Sequence, residues 1–163
     1  MARMIREQVA QVKRQSPDID FIVAMPHWGT EYGNVDKNQE FTERAFYDAG
    51  VDLVIGAHPH VLQRCDSIIR PNGDRFVVAY SLGNFVFPMR WHVSMDSAML
   101  FVDLIKNGSK KEITQSWVPV GLDTNRPVPV EPGTERFKRD RYIIEHGYDY
   151  PGDRSWPAQG PWQ

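Results

Sequence analysis

The chain has 163 residues, of which 41% are hydrophobic and 25% charged, and its formal net charge at pH 7 is −2. This composition is typical of a globular domain, and the lack of a basic excess argues against a nucleic-acid partner. The single cysteine, Cys65, excludes an intrachain disulfide framework and a cysteine-rich zinc module. The sequence has no apolar run near the roughly 20 residues that span a bilayer, and its first residues lack the apolar segment of a secretion signal.

The N-terminal part of the chain predicts one helix and two strands. Apolar residues recur near one face of residues 2–15, which predicts an amphipathic helix. Residues 19–25 and 51–55 are short and almost continuously apolar. Such runs are typical of strands buried on both faces of a parallel sheet.

A second helix is predicted between these two strands, over residues 38–49. Asn38 is its expected N-terminal cap, Phe41 and Ala45 are expected to face inward, and Gly50 is its expected stop. A strand, a helix and a second strand with short connections form a βαβ unit, which makes the two strands parallel neighbours.

The sequence then changes to a pattern typical of antiparallel strands. Asn72-Gly73 and Asn107-Gly108 are strong hairpin signals, and each lies between two apolar segments. The predicted strands cover residues 65–70, 75–87, 98–106 and 111–118. We therefore expect the βαβ unit to be followed by an antiparallel meander.

The C-terminal residues 123–163 differ from the rest in composition. They contain half of the twelve prolines of the chain. Proline-rich segments favour extended chain over packed elements. We expect an extended tail with little regular structure.

Three of the five histidines follow the two predicted parallel strands directly. His27 follows the first strand, and His58 and His60 follow the second. Because the carboxyl ends of parallel strands meet at one edge of a sheet, these histidines should converge there. Imidazole is the commonest protein ligand for metals, and Pro59 between the second pair favours two metals sharing one site. The alternative is that each is an ordinary loop residue.

Three further residues are candidates for roles beside the histidines. Glu31 follows His27 by four residues and could be a ligand, a partner of a ligand, or a solvated loop charge. Asn84 lies next to Gly83 inside an apolar segment, which suggests a strand distortion near a site; it could orient a phosphate, a water or a loop, or simply bond to backbone. Trp28 could form an aromatic wall for a substrate or belong to the core.

Three segments of the sequence resemble the bacterial capsule-synthesis CapA-like proteins. They are residues 27–32 (HWGTEY), 48–63 (DAGVDLVIGAHPHVLQ) and 80–87 (YSLGNFVF). These proteins are associated with poly-γ-glutamate biosynthesis and belong to the calcineurin-like metallophosphatase superfamily. The resemblance implies two divalent transition metals (Mn, Fe or Zn), with His27 and His58 binding one and His60 the other.

The resemblance also implies a fold and its division into domains. It implies an α/β fold in which residues 1–122 form the C-terminal half of a metallophosphatase-type two-sheet sandwich, followed by the tail 123–163. The superfamily's first metal ligands come from an N-terminal half, and nothing in residues 1–18 could supply them. The resemblance therefore leaves three alternatives: the sequence is truncated, another chain provides the missing half, or the site is incomplete and inactive.

Two functions follow from the resemblance as expectations. The first is a metal-dependent hydrolase of phosphoesters that acts in capsule biosynthesis, active if the missing half is present. The second is a non-catalytic module that binds or assembles an anionic polymer. The family implies association with the cell envelope, with membrane attachment only through regions absent here. An unpaired sheet edge in such a half-domain predicts self-association.

Overall fold

A computed structural model of the chain describes residues 1–86, 94–123 and 126–147. In chain order its elements are α1 (Ala2–Gln15), β1 (Val23–Ala24), α2 (Lys37–Ala49), β2 (Leu53–Ile55), β3 (Cys65–Ile69), β4 (Arg75–Ala79), β5 (Asp96–Asn107), β6 (Lys110–Asp123), β7 (Arg126–Pro129) and α3 (Glu135–His146). None of the helices in the described ranges is both long and apolar enough to cross a membrane.

The strands form two sheets. The first has the order β1-β2-β4-β3, in which β1, β2 and β4 are parallel and β3 is antiparallel to β4. The second has the order β5-β6-β7 and is antiparallel throughout. The predicted α/β class, the βαβ unit and both Asn-Gly hairpins are confirmed. The two hairpins of the expected meander lie in different sheets.

The first sheet lies between two layers because its strands alternate their side chains between two apolar faces. On one face, α1 and α2 pack against β2 and β4, and this cluster includes Ile5, Val9, Ala45, Val54, Phe76 and Val78. On the other face, the second sheet and α3 pack against the same strands, with Leu53, Val77, Ala79, Ala98, Ile113, Ile143 and Ile144 buried between them. This arrangement of two sheets is consistent with the partial metallophosphatase-type sandwich that the resemblance implies.

Helix α2 begins earlier than its sequence predicts. Its N-cap is Asp36, whose side chain accepts hydrogen bonds from the backbone N–H groups of Asn38 and Gln39, so the prediction of Asn38 as the cap is wrong. Gln39 completes a capping box by accepting from the Asp36 N–H. Gly50 ends the helix in the left-handed conformation, as predicted. Phe41, expected to face inward, is 61% exposed.

The two predicted parallel strands differ in burial. Leu53 and Val54 of β2 are 3% and 0% exposed, as expected for a strand covered on both faces. Strand β1 is only two residues long, and Val23 and Met25 are 42% and 78% exposed, so burial on both faces is wrong for this strand. The reason is its place at the sheet edge, where β2 is its only partner among the described strands. Self-association through this edge stays a prediction.

The C-terminal region contains more regular structure than expected. Strand β7 and helix α3 lie within residues 126–146, so an extended tail is wrong for that part, and residues 148–163 lie outside the described residues. Pro127 and Pro129 are tolerated because β7 is an edge strand. The Thr134 hydroxyl caps α3 by accepting from the Phe137 N–H, and Ile143 on this helix is fully buried.

Candidate metal site

The loops that follow β1 and β2 run side by side, as the βαβ topology predicts. His27 and Ala57 form a parallel bridge, in which the Trp28 N–H donates to the Ala57 carbonyl at 3.0 Å and the Ala57 N–H donates to Pro26 at 3.0 Å. The imidazole rings of His27 and His58 are consequently neighbours, with centroids 4.5 Å apart. The predicted convergence of these histidines at one sheet edge is therefore present.

Glu31, His58 and His60 form a cluster of possible metal donors, which we call the three-donor cluster. One ligand atom from each residue lies within 4.8 Å of the other two. In a tetrahedral zinc site with bonds of about 2.1 Å, ligand atoms are roughly 3.4 Å apart. The donors of the cluster, within 4.8 Å of one another, exceed that spacing by about 1.4 Å at most. Glu31 is exposed and the two imidazoles are half-buried, so the cluster can be reached from solvent.

Asn84 fixes the orientation of one imidazole of the cluster, that of His60, through a hydrogen bond. The Asn84 side-chain amide donates to the Ser94 carbonyl at 3.3 Å, which directs its Oδ1 atom to His60 Nδ1, 2.8 Å away. Because a carboxamide oxygen can only accept, His60 Nδ1 carries the proton of this hydrogen bond. An outer partner of this kind fixes the ring orientation and raises the basicity of a histidine ligand. Asn84 therefore bonds to backbone, one of the alternatives that its sequence context offers, and its contact with His60 is not among them.

The backbone at the cluster is conformationally unusual. His58 has φ 106°, His60 has φ 59° and Tyr32 has φ 56°, and these are the positive-φ residues other than glycine in the described ranges. Such conformations cost about 1–3 kcal/mol each and persist where the surrounding structure imposes them. They are concentrated at functional sites, and here all three adjoin the three-donor cluster.

His58 provides a test of this strain. We expect His58→Gly to be about 1 kcal/mol more stable than His58→Ala, because glycine adopts φ 106° without the steric cost that a Cβ imposes. Urea denaturation of the two variants measures the difference. In an ordinary loop the order is reversed, since glycine loses more backbone entropy on folding, and that order would contradict the strain.

The remaining predicted residues lie around the cluster in different ways. Trp28 is 9% exposed, stacks on Tyr80 and donates its Nε1–H to the Tyr80 carbonyl at 2.9 Å, so it belongs to the core and not to an exposed wall. His27 contacts His58 but lies outside the three-donor cluster. The assignment of His27 with His58 to one metal, and of His60 to another, stays a prediction. It differs from a single metal shared by all three residues of the three-donor cluster, for which that cluster provides the donors.

Tyr32 is a residue of the site that sequence reasoning did not identify. Its ring stacks on that of His60 with centroids 5.9 Å apart, and its N–H donates to the Pro59 carbonyl at 2.7 Å. This bond joins the loop that carries Glu31 to the loop that carries both imidazoles. It ends the segment 27–32 that resembles the CapA-like proteins, but no sequence pattern predicts its contacts, because they depend on a left-handed turn at a tyrosine.

Comparison with known proteins agrees with the resemblance in the sequence. A family model described as bacterial capsule synthesis protein PGA_cap matches residues 1–89. The PGA biosynthesis protein CapA of Bacillus subtilis (strain 168) is 38% identical over 126 residues, which are 76% of this chain and 30% of that protein. The capsule biosynthesis protein CapA of Bacillus anthracis is 34% identical over 144 residues, which are 87% of this chain and 33% of that protein.

The chain spans about a third of the length of these two relatives. The matched family region contains the whole three-donor cluster and Asn84. The chain therefore belongs to the PGA_cap family of bacterial capsule synthesis proteins.

Proposed function

We propose that the chain provides the histidine-rich part of a divalent transition-metal site that hydrolyses phosphoesters in capsule biosynthesis. The observation that carries the proposal is the three-donor cluster, in which donor atoms of Glu31, His58 and His60 lie within 4.8 Å of one another. Two imidazoles and one carboxylate are a ligand set of catalytic zinc sites, which keep a further position open for water or substrate. Strained backbone at both histidines is a cost that a binding site would explain.

The chemistry of the side chains fits such a metal. His60 presents Nε2 because its Nδ1–H is bonded to Asn84, and His27 beside His58 is a further donor that a second metal could use. Imidazole and carboxylate donors suit Zn, Fe and Mn. A bound divalent cation would lower the pKa of a coordinated water and polarise a phosphoryl oxygen. The protein's own part is to hold the His60 imidazole in a fixed orientation, and His27 and His58 beside it, at a solvent-accessible sheet edge.

A metal site that binds an anionic polymer without hydrolysis is the second candidate function. The exposure of Glu31 and His27 favours it, because an extended polyanion can approach an open surface more easily than a closed pocket. The names of the two relatives refer to poly-γ-glutamate (PGA) and capsule biosynthesis, in which such a polymer is the product. Both candidates require the metal, and they differ in whether a phosphoester is cleaved.

Cobalt(II) binding and diester hydrolysis test the proposal together. Co²⁺ is titrated into the chain by calorimetry and followed by visible absorption, and bis(4-nitrophenyl) phosphate is then offered as substrate. We expect His58→Ala to weaken Co²⁺ binding by roughly 100-fold or more, since changes in the outer shell alone already cost 10–100-fold. Hydrolysis should fall in parallel.

His146→Ala is the matched control. This histidine lies at the exposed end of α3, where its ring stacks on Tyr142, and it takes no part in the three-donor cluster. Its substitution should leave Co²⁺ affinity unchanged. The metal site is refuted if the unaltered chain binds no Co²⁺, or if folded His58→Ala binds it equally well. Tight Co²⁺ binding without diester cleavage, once the N-terminal half that the resemblance implies is supplied, would replace hydrolysis by the second candidate.

A further inference from the structure

Two buried glutamines connect the loops that carry the three-donor cluster. Gln39, in the first turn of α2, is 0% exposed, and Gln63, three residues after His60, is 4% exposed. Glutamine is seldom so fully buried, because its amide must find hydrogen-bond partners away from water. Their partners therefore indicate what this pair, which we call the glutamine pair, holds in place.

The hydrogen bonds of the glutamine pair run in one direction. Gln39 Oε1 accepts from the Asp36 N–H at 3.1 Å, which leaves its Nε2 to donate to Gln63 Oε1 at 2.9 Å. Gln63 Nε2 then donates to the Gly33 carbonyl at 2.9 Å. Backbone groups at both ends fix the orientation of each amide, so the pair forms a continuous link from α2 to the loop at Gly33.

This link joins the two loops of the three-donor cluster, the loop that carries Glu31 and the loop that carries both imidazoles. Gly33 lies two residues after Glu31, while Gln63 lies three residues after His60. The same loop also packs directly on the pair, because a Cβ at Gly29 would lie 2.7 Å from the Gln39 side chain. A backbone hydrogen bond also joins the two loops close to the cluster, from the Tyr32 N–H to the Pro59 carbonyl at 2.7 Å.

We propose that Gln39 and Gln63 are positioning residues that set the separation between the Glu31 carboxylate and the two imidazoles. The inference rests on the proposed function, because the separation matters only if the three donors share a metal. A purely structural role is the competing explanation. Apolar side chains of similar size would fill the same volume, so burial alone does not require two amides aimed at loop backbone.

Gln63→Met separates the two explanations, because methionine keeps the volume and removes both side-chain hydrogen bonds. The variant folds, as its thermal unfolding reports, but binds Co²⁺ about 10–100-fold more weakly and with an altered visible absorption spectrum. In the metal-free chain, amide exchange of Tyr32 accelerates at least tenfold, while exchange of Val77 and Val78 in β4 is unchanged. Gln115→Met on β6 is the control and changes none of these readouts.

The outcomes distinguish this inference from the proposed function. If the unaltered chain binds no Co²⁺, the proposed function fails, and faster Tyr32 exchange in Gln63→Met still supports the positioning link. If the unaltered chain binds Co²⁺ and Gln63→Met matches its affinity, spectrum and exchange, the positioning role is overturned while the metal site stands. Equal loss of protection at Tyr32 and in β4 would assign the pair to general stability and also overturn it.

Discussion

Asp96→Ala is expected to destabilise the chain by about 3 kcal/mol, because it removes the acceptor on which two arginines of α3 converge. Asp96 is 2% exposed, and its carboxylate accepts from Arg136 Nε at 2.7 Å and from Arg139 Nη2 at 2.6 Å. Removing one partner of a buried ion pair leaves charge without compensation, which costs about 3–5 kcal/mol. The side chain of Arg136 is 36% exposed and can turn to water, which favours the lower figure. Urea denaturation measures the loss.

Asp140→Asn is the control for this prediction, and the change should cost less than about 1 kcal/mol at pH 8. Asp140 is fully buried; its Oδ1 atom accepts from Arg139 Nε at 3.2 Å, which an asparagine oxygen can also do, and its Oδ2 atom has no hydrogen-bond partner. Burial, with the neighbouring Asp96 carboxylate adding to the effect, raises the pKa of Asp140 to about 7. Replacement of this carboxyl by an uncharged amide therefore costs little of the free energy of unfolding. Equal losses for the two substitutions would contradict the distinction between the two carboxyls.

The raised pKa of Asp140 also predicts a pH dependence. Between its ordinary pKa of 3.8 and its folded value of about 7, the folded chain holds a proton that the unfolded chain releases. Stability therefore falls as the pH rises through this window, by at most about 1.4 kcal/mol per pH unit, and levels off above it. Denaturation at several pH values from 5 to 8 should show that slope in the unaltered chain and less of it in Asp140→Asn.

Helix α3 was not predicted although Thr134 and Gly147 are local signals for its two ends. Neighbouring prolines dominate the composition of residues 123–163, while the helix is held by an ion pair to Asp96, about forty residues earlier in the chain. Local patterns contain no information about such a distant partner. In contrast, α1 is predicted with its observed bounds, because apolar periodicity within a helix is a local property.

In the candidate site, too, one feature follows from patterns in the sequence and another depends on a conformation that the sequence does not reveal. Convergence of His27 with His58 follows from parallel strand topology, which the sequence indicates through two apolar runs and the helix between them. The sequence left Glu31 open between a ligand, a partner of a ligand and a solvated charge, because its place in the three-donor cluster depends on a turn at Tyr32 with φ 56°. Positive φ at residues other than glycine leaves little trace in a sequence.

Gly56→Ala is expected to destabilise the chain by about 3 kcal/mol and to displace the cluster histidines. Gly56 lies at the end of β2, where its N–H donates to the Ala79 carbonyl at 2.8 Å. A Cβ there would collide with the Tyr80 carbonyl and with the Trp28 indole, whose Cε2 atom would be 2.8 Å away. Because the indole Nε1–H donates to that same carbonyl, the collision also breaks a buried hydrogen bond.

Gly73→Ala separates this steric effect from backbone strain. Gly73 has φ +87° and open space where a Cβ would lie, so alanine should cost only about 1–2 kcal/mol there. Gly56 lies two residues before His58, so relief of its collision moves the loop that carries both imidazoles. Weaker Co²⁺ binding by folded Gly56→Ala, with unchanged binding by Gly73→Ala, is the expected result. Equal stability losses in the two variants would contradict the proposed collision under the metal site.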